Sequence, residues 1–290
     1  MKALNLGCGR RYCPEWVNID FSAHSEKVIS YDLSVGIPFD DNSFDVVYHS
    51  HLLEHFSKDK AHMLVQECFR VLRPKGIFRV VVPDLESIAH LYLTALEKAN
   101  FGDCEWAENY NWMLLELLDQ LVRIQSGGEM QTYLKQKALQ NSDFVIQRLG
   151  VEAKNLMTIM GEETLNHSNV SNAIFPNLSV FIDSAIKPIY RLIRHSNYRR
   201  NALLRLILGF RDYQALQIGR FRQSGEVHQW MYDHYSLSHL LKRCGFIEVV
   251  QRTALTSYIP NWSAYNLDTD PDGSVYKPDS LFIEGVKPVP

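Results

Sequence analysis

With 290 residues, 46% of them hydrophobic, the chain is long enough to bury a sizeable core, as one elaborated domain or as a domain carrying an insert. A formal charge of -3 speaks against general nucleic-acid binding, and five cysteines without paired CxxC spacing speak for a reduced intracellular protein rather than a disulfide or zinc framework. No charge-free apolar stretch reaches spanning length and a strand pattern starts almost at Met1, so a cytoplasmic protein without a signal peptide is expected.

In chain order, Leu4-Asn5-Leu6 followed by Gly7-Cys8-Gly9 reads as a buried parallel strand ending in a glycine loop, where backbone can approach a ligand closely. The residues after Gly9 are Arg10, Arg11 and Tyr12, so GxGxxG is not completed and a nicotinamide cofactor is disfavoured. A redox pair of Cys8 and Cys13 is an alternative use of this segment. Strand-like runs over 16–19 and 27–31 each close on a carboxylate, Asp20 and Asp32, and ligands of open α/β sheets bind at the carboxyl ends of strands. A fourth strand over 44–48 runs into His49-Ser50-His51-Leu52-Leu53-Glu54-His55. Met63, Leu64, Cys68, Phe69, Val71 and Leu72 then keep helical spacing, and Pro74-Lys75-Gly76 is expected to stop that helix. A fifth strand over 77–82 ends at Pro83-Asp84.

Residues 87–225 read as a mainly helical insert, with Trp112, Leu115, Leu118, Leu121, Val122 and Ile124 as an apolar face and with turns at Gly127-Gly128 and Asn166-His167-Ser168-Asn169. Between Ser184 and Gln223, nine Lys or Arg residues face a single acid, Asp212, with apolar residues interleaved at helical spacing. Such a stretch suits peripheral contact with an anionic membrane or a phosphorylated substrate, or a solvated helix face. Gly225 to His234 is a dense polar and aromatic linker expected to cross the substrate pocket. Its His228 is the first candidate for a general base, with Glu226 or Asp233 as the orienting partner. His49, His51 and His55 compete for that role. His51 and His55 have the i, i+4 spacing of a metal pair, but HExxH is absent and no third ligand is evident, so no metal is expected. A helix over 235–246, a strand over 247–251 and a last strand over 280–286 complete the chain.

Taken together, LNLGCG, NID, YDL, IPFDDNSFDVVYHSHLLEHF and ECFRVLRPKGIFRVVVPD resemble the class I S-adenosylmethionine (SAM) dependent methyltransferases of the type 11 group, over residues 2–86. The helix, strand, loop, strand ending resembles the antiparallel hairpin of that family. The resemblance implies an α/β, Rossmann-like sheet, mostly parallel with an antiparallel last strand, formed by 1–86 and 226–290, with the helical insert of 87–225 on the acceptor side. It implies SAM as cofactor, with Asn5, Gly7, Cys8 and Gly9 facing its methionine part, Asp20 on the ribose hydroxyls, Asp32 and Leu33 at the adenine, and His49 and His55 near the methionine moiety. His228, His51 and Asp233 are the catalytic candidates.

Two departures from the family stand out. Asn5 replaces a more usual acid, and Gly9 to Trp16 is too short for the full helix that normally joins the first two strands, which leaves the pocket more open. HQWMYD and YKPDSLFIEGVKP resemble bacterial methyltransferases of polysaccharide or secondary-metabolite pathways, so a sugar hydroxyl or another small molecule is the expected acceptor. A non-catalytic scaffold that keeps the fold is the alternative.

Overall fold

The computed structural model describes residues 1–136, 139–151, 154 and 194–290. Seven strands, β1 (Ala3–Leu6), β2 (Val17–Asp20), β3 (Val28–Ser30), β4 (Phe44–Ser50), β5 (Leu72–Pro83), β6 (Ile247–Arg252) and β7 (Ser280–Val286), form one sheet in the order β3-β2-β1-β4-β5-β7-β6. The first five run parallel, and β7 is antiparallel to both of its neighbours. All four residues of β1 are buried, as a central parallel strand covered on both faces requires. Leu6 pairs with Ile19 on one side and His49 on the other, so the turns after β1, β2 and β4 emerge along one edge of the sheet.

One face packs against α1 (Lys58–Val71) and α7 (His234–Arg243): Leu64, Val65, Cys68, Leu237 and Leu241 meet Leu4, Leu6, Val47, Phe78 and Val80. The expected stop of α1 at Pro74-Lys75-Gly76 is corrected. The helix ends at Val71, and those three residues already lie in β5, where Leu72 pairs with Phe44 and an irregular register before Val46 absorbs the left-handed Lys75 (φ 66°).

The other face carries the consequence of the short β1 to β2 connection, which contains no helix. Trp16, Val46 and Tyr48 pack there against Ala254, Ile259, Trp262 and Leu267, all from the long excursion between β6 and β7. That excursion thus fills the place of the missing crossover helix. Arg11 fastens it, donating from Nε to the Leu267 carbonyl (2.9 Å), from Nη1 to Asp270 Oδ1 (2.9 Å) and from Nη2 to the Thr269 carbonyl. Beneath it, the fully buried Arg79 pairs with Asp268 and with Glu284 (2.8 Å each) and lies 4.5 Å from the Trp262 ring, so a charge in the core is matched on every side.

Directly after β5, Asp84 caps α2 (Leu85–Asn100) by accepting from the Glu86 and Ser87 amides. Helices α3 (Cys104–Val122), α4 (Gly128–Leu134) and α5 (Ser142–Leu149) join α2 around a second cluster of Ile88, Ala95, Trp112, Met113, Tyr133 and Val145, closed by Met231. Leu118 and Val122 lie on the solvent side of α3 and Ile124 beyond its end, so these three do not belong to the apolar face expected of them. Gly127 and Gly128 do make a turn, with φ of 77° and 53°.

The basic stretch is helical where it is described, as α6 (Ser196–Arg222), interrupted at Gly209 (φ 72°), and it buries none of its side chains. Residues 184–193 and the turn expected at Asn166-His167-Ser168-Asn169 lie outside the described residues. Among the described residues, no helix is long and apolar enough to cross a membrane.

Candidate functional site

The glycine loop after β1 is built as a cradle. Gly7 and Gly9 take φ of 61° and 54°. A Cβ on Gly7 would sit 2.7 Å from Leu52 Cδ1, whereas one on Gly9 would meet open space. The Gly9 amide donates to Asp20 Oδ2 (2.8 Å), whose Oδ1 accepts from the Ser22 amide (3.0 Å), so the acid at the end of β2 organises the loop. Asn5 is buried, donating to Asn18 Oδ1 (3.3 Å) and to the Arg11 carbonyl (3.4 Å), while Asn18 donates in turn to the Cys13 and Trp16 carbonyls (2.9 Å each). A carboxylate at position 5 could not donate, which accounts for the departure from the usual acid: the short connection needs an amide there. Cys8 and Cys13 are free thiols. Burial, and then the charge of Asp20, push the Cys8 thiol up to about 12, so it is no nucleophile near neutrality.

A cleft of about 440 Å³ opens beside this loop, lined by Asn5, Gly7, Cys8, Gly9, Ser50, His51, Leu267, Tyr276 and Lys277 among others. Asp20 and Asp32 stand outside its lining. Asp32 is exposed at the following strand end, and its Oδ1 caps a short 3-10 turn (Leu33–Val35) by accepting from the Ser34 amide; the Ser34 hydroxyl first and this amide second hold its carboxyl below the usual range. Leu33 packs into the core and also borders a cavity of about 350 Å³ shared with Ser34, Val35 and Phe56, separate from the cleft beside the glycine loop.

His49 also needs correcting as a cofactor residue. The strand β4 runs further than expected, and its pleat buries this ring completely, edge-on to Phe78 at 5.4 Å, with both ring nitrogens free of hydrogen bonds. Burial pushes its pKa down to about 4, so it is a neutral core residue rather than a wall of the cleft. His55 closes a second 3-10 turn (Leu53–His55) and likewise does not line the cleft; its ring packs edge-on to His228 at 4.8 Å.

A second cavity, about 270 Å³, lies between the strand ends and α2 to α5. Its wall includes Glu116, Gln120, Arg123, Gln131, His228, Met231 and Asp279. Glu116 there is paired with the Arg148 guanidinium and accepts from Trp112 Nε1 at 3.0 Å. His51 and Lys277 line both this cavity and the cleft.

His51 has a left-handed backbone (φ 51°), which turns it out of the line of β4. Its Nε2 lies 2.8 Å from Ser280 Oγ at the start of β7, and its Nδ1 lies 3.4 Å from Oε1 of the fully buried Glu54. Burial works against the charge of that carboxylate and the His51 ring works for it; the net direction is down, so Glu54 is ionised. A carboxylate at Nδ1 favours the ring proton on that atom and leaves Nε2 as the basic nitrogen.

The linker lines the second cavity with His228 and Met231, tied down by amides of His228 to the Gln120 carbonyl (3.0 Å) and of Gln229 to the Glu54 carbonyl (2.7 Å). His228 itself is different from the expectation. Its ring is buried and its pKa is pushed down to about 3 by burial, with Glu54 opposing, so it stays neutral and weakly basic. Its acidic neighbour is Glu54, 4.0 Å from Nε2, and neither Glu226 nor Asp233. Glu226 is exposed, and Asp233 is corrected to a helix cap: its carboxylate accepts from the Ser236 amide (2.7 Å) in a reciprocal capping box at the start of α7.

Glu54, Lys277, Ser280 and Arg11 are the residues that sequence reasoning did not place. Glu54 was visible as the centre of HLLEH, three residues after His51 and one before His55, and only the tight turn shows that it gathers the imidazoles. Glu54, His55 and His228 offer ligand atoms that all lie within 4.8 Å of one another, a grouping that keeps His55 of the i, i+4 pair, leaves His51 out and was not visible in spacing.

Residues 4–80 match the family model of a methyltransferase domain. No curated protein matches the chain. Among solved structures, a SAM-dependent methyltransferase of Archaeoglobus fulgidus is similar at 11% identity over 99% of this chain and 86% of that one, with a TM-score of 0.37. A complex of the Haloferax volcanii Trm112 activator with a methyltransferase gives 11% identity, 99% and 83% coverage and a TM-score of 0.36. A SAM-dependent methyltransferase of Mesorhizobium loti gives 18% identity over 29% of this chain and 47% of that one, with a TM-score of 0.23. Several others are likewise matched over only about half their length. At these identities and TM-scores the solved structures add no argument to the family match.

Proposed function

We propose, from the match of residues 4–80 to a methyltransferase domain, that the chain moves the methyl group of SAM from the cleft beside β1 and β4 to a hydroxyl held in the cavity under α2 to α5. The observation that carries this reading is that His51 and Lys277 line both spaces, so donor and acceptor would meet at His51.

The cleft fits the cofactor. Gly9 leaves its wall without a Cβ, the left-handed loop turns backbone toward the methionine end, and Asp20, already fixed by the Gly9 amide, keeps lone pairs for the ribose hydroxyls beyond it. Asp32 stands at the next strand end, where the adenine would lie on the open flank. SAM supplies a methyl already activated by its sulfonium, so the protein's share is alignment and removal of the acceptor proton. His51 Nε2 takes that proton, with Glu54 behind Nδ1 fixing the ring. Ser280 Oγ, 2.8 Å away, holds Nε2 in place until an acceptor hydroxyl replaces it. His228 is a neutral wall of the cavity, not the base.

The acceptor cavity sets Glu116, Gln120, Arg123, Gln131, Lys277 and Asp279 against Pro83, Ile88, Met130, Leu134, Leu149 and Met231, a mixed lining that can hydrogen-bond the hydroxyls and pack the apolar face of a sugar ring. The arginines of α6 would meet the phosphates of a nucleotide-linked or lipid-linked carrier. Labelled SAM supplied with nucleotide sugars and lipid-linked glycans tests the reading. Label transferred to a sugar oxygen, and lost in a His51 variant, supports it. Saturable SAM binding with no transfer to any of these would remove the sugar, and no transfer to any small molecule would favour a scaffold that keeps the fold.

A further inference from the structure

We propose that Glu54, His55 and His228 form a binding site for one divalent first-row metal ion, Zn²⁺ foremost, on the wall of the acceptor cavity. Three observations carry it. One oxygen and one nitrogen from each of the two rings lie within 4.8 Å of one another, a separation that modest side-chain rotation brings to the roughly 3.3 Å between neighbouring ligands of a tetrahedral site with bonds near 2.0 Å. Both oxygens of Glu54, which is fully buried, lack a hydrogen-bond partner, and so does Nδ1 of His55. Buried carboxylates are hydrogen-bonded, paired or bound to cations, and this one has only two imidazole nitrogens near Oε1, His51 Nδ1 at 3.4 Å and His228 Nε2 at 4.0 Å, both beyond hydrogen-bond distance for a strong bond.

Third, the groups are held together by backbone rather than by chance proximity. The Glu54 carbonyl accepts from the amides of Gln229 (2.7 Å) and Trp230 (3.3 Å), which fastens the segment carrying His228 to the turn carrying Glu54 and His55. Two imidazoles with one carboxylate suit borderline ions over Mg²⁺ or Ca²⁺, which prefer all-oxygen shells. Three protein ligands leave a fourth position, and His228 is itself part of the cavity wall, so water or an acceptor oxygen can take it.

The test reads metal, not turnover, so it stands or falls separately from the methyl-transfer reading. The full-length protein is stripped with a chelator, reloaded with Zn²⁺ or Co²⁺, and examined by elemental analysis, by the visible spectrum of the Co²⁺ form and by thermal unfolding. One metal per chain is expected, with the absorption of a low-coordinate nitrogen and oxygen site and a raised melting temperature. His228→Ala, His55→Ala and Glu54→Gln should each weaken binding at least about tenfold. Should Glu54→Gln fail to fold, the partly exposed His55→Ala and the wild-type Co²⁺ spectrum still decide. A reloaded wild type that retains no metal overturns the site, as does binding that all foldable variants leave unchanged.

Discussion

Four histidines crowd one carboxylate, and only one of them touches both cavities. His49 is sealed in the sheet, His55 and His228 pack on each other, and His51 alone reaches from Glu54 to the junction of cleft and cavity. Removing a positioned base typically costs about 10²- to 10⁴-fold. His51→Gln is therefore expected to lower single-turnover methyl transfer by that order with SAM affinity little changed; an unaltered rate would move the base elsewhere. Gly7→Ala is the complementary test of the loop. It forces a left-handed alanine against Leu52, and should cost about 1–2 kcal/mol in chemical denaturation and weaken SAM binding. At this scale the sequence was readable where backbone conformation carries the signal, as in Gly7, Gly9 and Asp20. It was not readable where the direction of a side chain decides. One more residue of pleat buries His49, and Ser236 three positions on turns Asp233 into a cap, a pattern present in the sequence as a serine near the helix start.

Among the elements, the excursion between β6 and β7 does the work of a helix. The shortness of Gly9 to Trp16 announced that a helix is missing, but nothing local said what covers the bared face, because the partner lies more than two hundred residues away and is bound through Trp262 and Arg11. Trp262→Ala should destabilise by about 3–5 kcal/mol, read from the denaturation midpoint, and a cost under about 1 kcal/mol would mean the excursion is not core. The loop after β3 offers a pH test. Glu67 accepts from both Arg70 Nε and Nη2 (2.7 and 2.8 Å) and from the Ile37 amide (2.9 Å), and the Arg70 bonds, outweighing burial, hold its carboxyl below the usual range. Its contribution is then complete above the ordinary glutamate pKa of about 4.3 and lost as pH falls through the depressed value. Glu67→Gln should cost about 1 kcal/mol at pH 7, and the gap to the wild type should close in acid. A gap independent of pH would contradict the charged role.

For the whole molecule, the parallel half of the sheet and its antiparallel hairpin follow from runs of buried residues that end in glycine or aspartate at one edge, so that much was legible from pattern alone. The helices over the cavity that His228 lines were legible as helices but not in arrangement, since Glu116 and Arg148, paired across α3 and α5, carry no signal in spacing. The central claim is that the cleft beside Gly7 and Gly9 holds SAM by way of Asp20. Calorimetric titration of SAM and S-adenosylhomocysteine into the wild type and Asp20→Ala tests it most directly. Saturable binding to the wild type, weakened in the variant by about 1.5–3 kcal/mol or roughly 10- to 150-fold, is the expected result. No binding of either ligand, or equal affinity in the variant, would contradict it.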